Sequence, residues 1–579
     1  MLKYPMKTNL KRFVNVAAGR EEADLVLKNA RVVNVFTREI AESSIAVNQG
    51  KIAGIGNYRG REEVDLGGRH VTPGLIDSHV HIESALVSPE QFARLVVPRG
   101  TTAIVADPHE IANVRGLEGI RYMVEAARGL PLDVYYMVPS CVPATRFENA
   151  GAVLDAAAIA SIMGETGILG LGEMMDYPSV IRADDDTLAK LAAAENHPID
   201  GHCPMLEGFD LAAYAAAGIH TDHECSTVEE MNNRLRLGMR ILIREGSAAR
   251  NLKALIKGVN NANAHRCSFC TDDKQPEDIF REGHIDYNIR LAVECGLDVL
   301  TALQMATLNA ALGYGLRGKG AIAPGYDADI AVLDNLETFR VHSVYKKGVK
   351  VAENGESLFQ VGCPDISAVS HTVKLPPLSA DSFALRLKGS SAHVIQIQPN
   401  TLITPKAVRE VRRNSAGFFA ANRNTDVRKI AVIERHRASG SIGLGLVEGY
   451  GVTGGAVGLS IGHDSHNLVI CGDCDGDMRL AAEELERMGG GIVLVKNGAL
   501  LDTLPLPIAG LMSNRPADEV NKKLQRLNQL AYDKLHINKN IDPVIMLSFL
   551  TLPVIPELKI TDKGLFDVKA FDFIEVSAG

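Results

Sequence analysis

Apolar and polar positions change rhythm along this chain, and each change predicts a different kind of structure. Residues 1–21 are mostly polar, with charge but no apolar core after it, and predict a loosely helical extension rather than a secretory signal. Between residues 22 and 70 the apolar positions come in short runs split by Gly and Asn, as in S-I-A-V-N-Q-G-K-I-A-G-I-G. Such runs predict a small antiparallel β unit. From Val71 the pattern settles into strand, loop, helix, repeated. Strands are expected at Val71–Ile76, Thr102–Asp107, Leu132–Pro139, Gly167–Glu173, Pro198–Cys203, Ile219–His223, Met239–Ile243 and Cys267–Asp272. Helical stretches such as Arg115–Arg128, Thr187–Asn196 and Val228–Leu237 separate them. Eight such units over residues 71–319 predict an α/β fold, a (β/α)8 TIM-like barrel.

Residues 320–362 return to the β style in G-A-I-A-P-G-Y-D-A-D-I-A-V-L-D. The simplest reading is a composite small β domain, built from 22–70 and 320–362, with the barrel inserted between its halves. Residues 363–386, with Pro364, Pro376 and Pro377, read as a linker. Residues 387–579 mix strands such as Lys429–Ile433 and Ala456–Ile461 with a helix at Arg479–Met488, and predict a C-terminal α+β domain. Its Gly-rich stretch contains no G-x-x-x-x-G-K-[ST], so it is no phosphate-binding Walker loop; turns and close sheet packing explain its glycines better.

Composition removes several alternatives. Of the 579 residues, 46% are hydrophobic and 23% charged, as in ordinary globular proteins. A net charge of −9 and the absence of Trp argue against nucleic acid as a partner. No apolar run approaches the roughly 20 residues of a membrane span. The nine Cys are odd in number and scattered, which predicts a reducing, cytoplasmic setting. The pairs Cys267/Cys270 and Cys471/Cys474 read as ordinary thiols rather than a shared zinc site.

In a barrel, chemistry collects where the strands end. His79 and His81, two apart at the end of the first strand, point to one face. The second strand ends in Asp107-Pro108-His109-Glu110, the fourth in Glu173, the fifth in His202, the sixth in Asp222-His223-Glu224, and the eighth in Thr271-Asp272-Asp273. Of 17 His in the chain, five fall at four of the eight strand ends, which chance explains poorly. Mixed imidazole and carboxylate donors suit two divalent cations that generate hydroxide at neutral pH. Glu173 is the expected bridge, with His79, His81, His202, His223 and Asp272 completing the ligands. Mn, Fe(II) and Zn all fit such a donor set.

Several stretches carry a closer resemblance: D-L-G-G-R-H-V-T-P-G-L-I-D-S-H-V-H-I-E-S, D-P-H-E-I-A-N-V, G-L-G-E-M-M, D-G-H-C-P, T-D-H-E, G-H-D-S-H-N and L-P-L-P-I-A-G-L-M-S. From about residue 22 onward the chain resembles the bacterial adenine deaminases of the amidohydrolase superfamily. The resemblance implies conversion of adenine and water to hypoxanthine and ammonia, by attack of a hydroxide held on two Mn(II) or Fe(II) ions at C6 of the purine. It matches His79, His81, His202, His223 and Asp272 to the superfamily's ligands, with Asp272 also shuttling a proton. Glu173 stands where dihydroorotases and hydantoinases use a carboxylated lysine, which weakens a cyclic-amide reading. Glu224, then Glu110, are the expected acids for purine N1. His109, Asp107, Glu83, Asp273, His463 and His466 are expected to contact substrate or orient the ligands. Ser84 shares the expectation made for Glu83. The alternatives are another aminopurine or a cyclic amide as substrate, or a non-catalytic metal-binding homologue. The other zinc-deaminase design, H-x-E with P-C-x-x-C, is mimicked only in its first half, since Arg266 and Ile470 precede the C-x-x-C pairs. By analogy, a homo-oligomer, in the simplest case a dimer, is expected.

Overall fold

The computed structural model describes residues 5–362, 364–399, 401–422 and 424–578; the first four residues of the expected extension lie outside them. The extension is an α-helix, Pro5–Ala17, which lays Val16 against Ala23, Val26, Ala46 and Ala53 of the sheet that follows. That sheet is drawn from two distant parts of the chain. Ala23–Asn34, Glu39–Asn48, Lys51–Ile55, Gly60–Asp65 and His70–Pro73 precede the barrel, while Ile330–Leu333, Val341–Lys346, Val349–Glu353 and Glu356–Ser357 follow it. The halves meet where His70–Pro73 pairs antiparallel with Ile330–Leu333. The single strand expected at Val71–Ile76 is therefore two strands, and the small sheet keeps its hold on the chain as far as Pro73. Gly74 makes the crossing: a Cβ there would sit 2.1 Å from Oγ1 of Thr102, so no side chain fits.

Eight parallel strands follow. β1 (Leu75–Val80), β2 (Thr101–Ala106), β3 (Asp133–Val138), β4 (Ile168–Met174) and β5 (Ile199–Gly201) form one sheet. β6 (Thr221–Asp222), β7 (Arg240–Arg244) and β8 (Cys267–Cys270) form another. The two sheets meet at both seams. Val80 bridges Asp272 in parallel, and the Gly201 N–H donates to Oγ1 of Thr221 at 3.0 Å. β5 and β6 are shorter than expected because Asp222 takes over from the ladder. Its Oδ1 accepts the N–H groups of Cys203 and Glu224, each at 3.2 Å, which turns His202 and His223 toward the mouth. The helix expected at Arg115–Arg128 starts earlier, at His109, and runs to Ala126. Gly116 breaks it with φ 56° and ψ −138°, a conformation that only glycine adopts easily.

The C-terminal part centres on an eight-stranded sheet that includes Arg428–Ile433, Ile442–Glu448, Gly455–Leu459, Leu468–Gly472 and Gly491–Lys496. Helix Asp475–Arg487 packs Met478, Ala481, Ala482 and Leu485 onto one face of it. The Gly-rich stretch supplies two of these strands; a Cβ on Gly443 would meet the Thr561 carbonyl oxygen at 1.9 Å. The segment expected as a linker is packed rather than free, with Val369 and Phe383 fully buried. Val369 shares one apolar cluster with Val80, Ile82, Leu86 and Phe92 of the barrel and Ile461, Leu506, Leu547 and Leu550 of the C-terminal part. Burial of this shared surface seats the C-terminal part on the barrel.

Candidate metal centre

His79 at the end of β1 and His81 just beyond it face each other, with their Nε2 atoms 3.2 Å apart. His79 stacks on His223, ring centroids 4.2 Å apart and planes within 16°. His81 Nδ1 lies 2.9 Å from the Asp107 carbonyl oxygen, which fixes the proton on Nδ1 and turns the Nε2 lone pair into the centre. Asp77, below, anchors the strand ends: Oδ1 accepts the His79 and Thr271 N–H groups at 3.2 and 3.1 Å. Its Oδ2 lies 3.1 Å from Nε2 of the buried His284.

Glu173, at the end of β4, divides the imidazoles into two groups. Its Oε1 lies 3.4 Å from His81 Nε2, 3.3 Å from His109 Nδ1 and 4.0 Å from His79 Nε2. Its Oε2 lies 2.9 Å from His202 Nδ1 and 3.2 Å from His223 Nε2. Asp272 Oδ1 joins the first group, 3.2 Å from His81 Nε2 and 3.9 Å from His79 Nε2. The Glu173 N–H donates to Asp107 Oδ2 at 2.9 Å, so Asp107 orients the carboxylate from behind.

The electrostatics fit a cation. Burial, with His223 and His81 close by, holds His79 well below its ordinary pKa and so neutral. Burial opposes the charge of Glu173, but hydrogen bonds from His109, His202, His223 and His81 outweigh it and hold the carboxyl well below the usual range. For Asp272, His81, Arg244 and His223 outweigh burial in the same way. The buried Nδ1 atoms of His79 and His223, whose Nε2 atoms face the centre, have no hydrogen-bond partner among the described residues, nor has Asp107 Oδ1. Triads such as His79–His81–Glu173, His79–His223–Asp272 and Glu173–His202–His223 each bring ligand atoms within 4.8 Å of one another. Despite burial, the carboxylates Glu173, Asp272, Glu224 and Asp464 hold His81, His109, His202 and His223 above the ordinary imidazole value, and a divalent cation among the same nitrogens and oxygens would take the place of those protons.

The remaining expected residues separate. Glu224 gives both carboxylate oxygens to Arg244, with Oε2 2.9 Å from Nη2, and Arg244 Nη1 also reaches Asp272 Oδ2 at 2.7 Å. That pairing occupies both carboxylate oxygens of Glu224 and places it beside Asp272 through one guanidinium. Glu110, Glu83 and Ser84 border a smaller chamber and not the reaction cavity, whereas Asp273 borders both. His463 lines the reaction cavity and stacks on Phe549 at 4.2 Å. His466 does not reach the cavity lining. It is fully buried, 5.5 Å from His463 between ring centroids.

The reaction cavity, about 70 Å³, is roofed by Leu402, Phe549, Leu552 and Ile555 of the C-terminal part. Sequence reasoning missed these four, together with Arg244 and Asp464, whose Oδ1 lies 3.7 Å from His109 Nε2. Arg244 ends β7, one residue past the expected strand, so the strand-end rule applied one residue further would have found it. Asp464 lies between two histidines already singled out.

Residues 70–351 match the amidohydrolase family, and barrel and centre together define a metal-dependent hydrolase of that class. Residues 401–572 match the adenine deaminase C-terminal domain. The chain is 53% identical to an adenine deaminase of Nitratidesulfovibrio vulgaris, over 98% of this chain and 99% of the relative. It is 47% identical to an adenine deaminase of Geobacillus kaustophilus, over 99% and 100%. Among solved structures, the β-aspartyl dipeptidase of Fervidobacterium islandicum is 19% identical, with a TM-score of 0.45 over 58% of this chain and 98% of that one. The chain belongs to the adenine deaminase family.

Proposed function

We propose that the protein hydrolyses adenine to hypoxanthine and ammonia with two divalent metal ions, Mn(II) or Fe(II) before Zn. The observation that carries the reading is Glu173, one carboxylate whose two oxygens serve two separate imidazole groups. His79, His81 and Asp272 would hold one ion and His202 and His223 the other, with Glu173 available to both. When bound, the ions would supply Lewis acidity and lower the pKa of water. Asp272 takes the proton that the attacking water gives up and returns it to the departing amine. Arg244, held by Glu224, keeps Asp272 ionised until then.

Asp273 replaces Glu224 as the proposed acid at N1. The single Ser84 hydroxyl meets both Glu110 Oε1, at 3.0 Å, and Asp273 Oδ1. Burial, with Asp272 beside it, pushes the Asp273 carboxyl up to about 6, so it keeps a proton more readily than an ordinary aspartate. Of the two, Asp273 lines the reaction cavity. The apolar roof and the His463–Phe549 stack suit the flat face of a purine.

No helix among the described residues is long and apolar enough to cross a membrane. Among the described residues all eight cysteines are free thiols, six of them buried, which supports a cytoplasmic location. Phe209, 94% exposed, and Met205, 65% exposed, support self-association into a homo-oligomer such as a dimer. The test is ammonia release from adenine, adenosine, guanine, cytosine and dihydroorotate by protein reconstituted with Mn(II) or Fe(II). Turnover of adenine alone is the expected result; turnover of dihydroorotate instead would overturn the substrate.

A further inference from the structure

Behind the reaction cavity lies a second chamber of about 30 Å³. It shares Asp273, His463 and Phe549 with the reaction cavity. On its other side it shares Ser247, Gln275 and Ile545 with a surface groove of about 480 Å³ between the barrel and helix Ala517–Lys534. Reaction cavity, chamber and groove therefore stand in series.

Three carboxyl groups, those of Glu83, Glu110 and Asp273, meet in this chamber, and its lining contains no lysine or arginine. Glu83 is 1% exposed. Its Oε1 accepts the Ile111 N–H at 3.2 Å, and its Oε2 has no partner at all. A buried carboxyl oxygen without a donor is costly, and a bound cation would satisfy it and favour the ionised group. Seven of the thirteen lining residues carry carboxyl, hydroxyl or amide oxygens, the others are His463 and apolar side chains, and no thiol lines the chamber. Such hard donors differ from the imidazole-rich set next door and suit an ion that makes no strong demand for nitrogen. On the scale at which one water needs roughly 10–15 Å³, the chamber holds about two water-sized species.

We propose that this chamber is a monovalent-cation site that receives the ammonium ion formed from the ammonia released next door and passes it toward the groove. The identity of the occupant rests on the deaminase reading. The site itself rests only on the three carboxyls and their cavity, and potassium would be bound by the same chemistry. Ammonia leaving C6 takes a proton from solvent at neutral pH, and the resulting ion finds carboxylate oxygens within one shared wall.

Thallium(I), a heavy stand-in for both ions, provides the test. Crystals of the metal-loaded enzyme soaked in thallium(I) acetate are expected to show an anomalous peak among Glu83, Glu110 and Asp273, and excess ammonium is expected to displace it. In solution, ammonium chloride is expected to inhibit adenine turnover more than equal sodium chloride does. Glu83→Gln is expected to weaken that inhibition roughly tenfold, the loss of about one charge-assisted hydrogen bond. A peak displaced by potassium and not by ammonium would overturn the ammonium assignment. An enzyme that turns over adenine but shows no peak would overturn the site. A peak displaced by ammonium in protein inert toward adenine would keep the site and remove the deaminase reading. Should Glu83→Gln fail to fold, competition between thallium and ammonium in the unaltered enzyme decides alone.

Discussion

At the end of the barrel that faces the small sheet, the buried Lys319 and Lys346 meet the buried Asp329 and the partly buried Asp133 and Asp327, and Lys51 adds a third positive charge 2.6 Å from Asp327 Oδ1. Lys319 Nζ lies 2.7 Å from both Asp327 Oδ2 and Asp329 Oδ2, and also contacts Asp133. Lys346 Nζ lies 2.6 Å from Asp133 Oδ2, 2.8 Å from Asp329 Oδ2 and 2.9 Å from the Thr102 carbonyl oxygen. At the opposite end, Glu173 and Asp272 meet five imidazoles, and the one guanidinium present, Arg244, is shared between Glu224 and Asp272. Both ends bury charge. The lower end cancels it within the chain, which ties β3 to the small sheet. The upper end gathers imidazole nitrogens and carboxylate oxygens within ligand distance of one another, a set that a cation from outside would complete. The difference separates a structural ion network from a centre that binds metal.

The sharpest way to break the comparison is chelation. Stripping metal is expected to abolish adenine turnover, and Mn(II) or Fe(II) to restore it, at about two ions per chain by elemental analysis. Asp272→Asn is expected to lower kcat by about 10²–10⁴-fold, the range for losing a positioned acid–base group, even where metal is retained. At the lower end the effect falls on stability instead. Lys346→Met strands buried carboxylates and is expected to cost about 3–5 kcal/mol of unfolding free energy, read from denaturant midpoints. The specific activity of the folded fraction is expected to stay unchanged; a large loss of kcat there would erase the distinction between the two ends. Phe549→Ala, in the roof, is expected to raise KM for adenine by about threefold to tenfold, the worth of one aromatic contact, with kcat less affected.

A last effect, on stability alone, concerns Lys559, fully buried, whose Nζ donates to the carbonyl oxygens of Leu402 at 2.9 Å and Phe549 at 3.1 Å. Burial pushes its pKa down to about 7. Between pH 7 and the ordinary lysine value, the unfolded chain holds a proton that the folded chain lacks, so stability is expected to rise with pH across that window. Lys559→Met is expected to flatten that rise in a series of denaturation curves, and an unchanged slope would show that the lysine stays charged.

The chemistry of the mouth was largely legible from sequence, because barrel strands alternate faces and end on one rim. His79, His81, Glu173, His202, His223 and Asp272 could each be found by asking what terminates a strand. Contacts made across long chain separations were not legible. The roof residues Leu402 and Phe549 sit in stretches whose periodicity reports only local structure, and the pairing of Glu224 with Arg244 depends on how β6 and β7 are set side by side. The boundary at Gly74 was hidden for a related reason: one apolar run serves two sheets, and hydrophobicity alone cannot show where a strand changes partners.

The seam between His70–Pro73 and Ile330–Leu333 also sets a timetable. During synthesis the first half of the small sheet leaves the ribosome with the edge of His70–Pro73 unpaired, and its partner follows only after the whole barrel has been made. At about 5–20 residues per second, the intervening 250 or so residues take roughly 12–50 s. For that interval the nascent chain carries an apolar, unpaired strand edge, the feature most prone to pairing with other chains. The stretch of the life cycle in which this protein most needs a chaperone is thus the emergence of residues 75–329, before any of its catalytic groups can meet a metal.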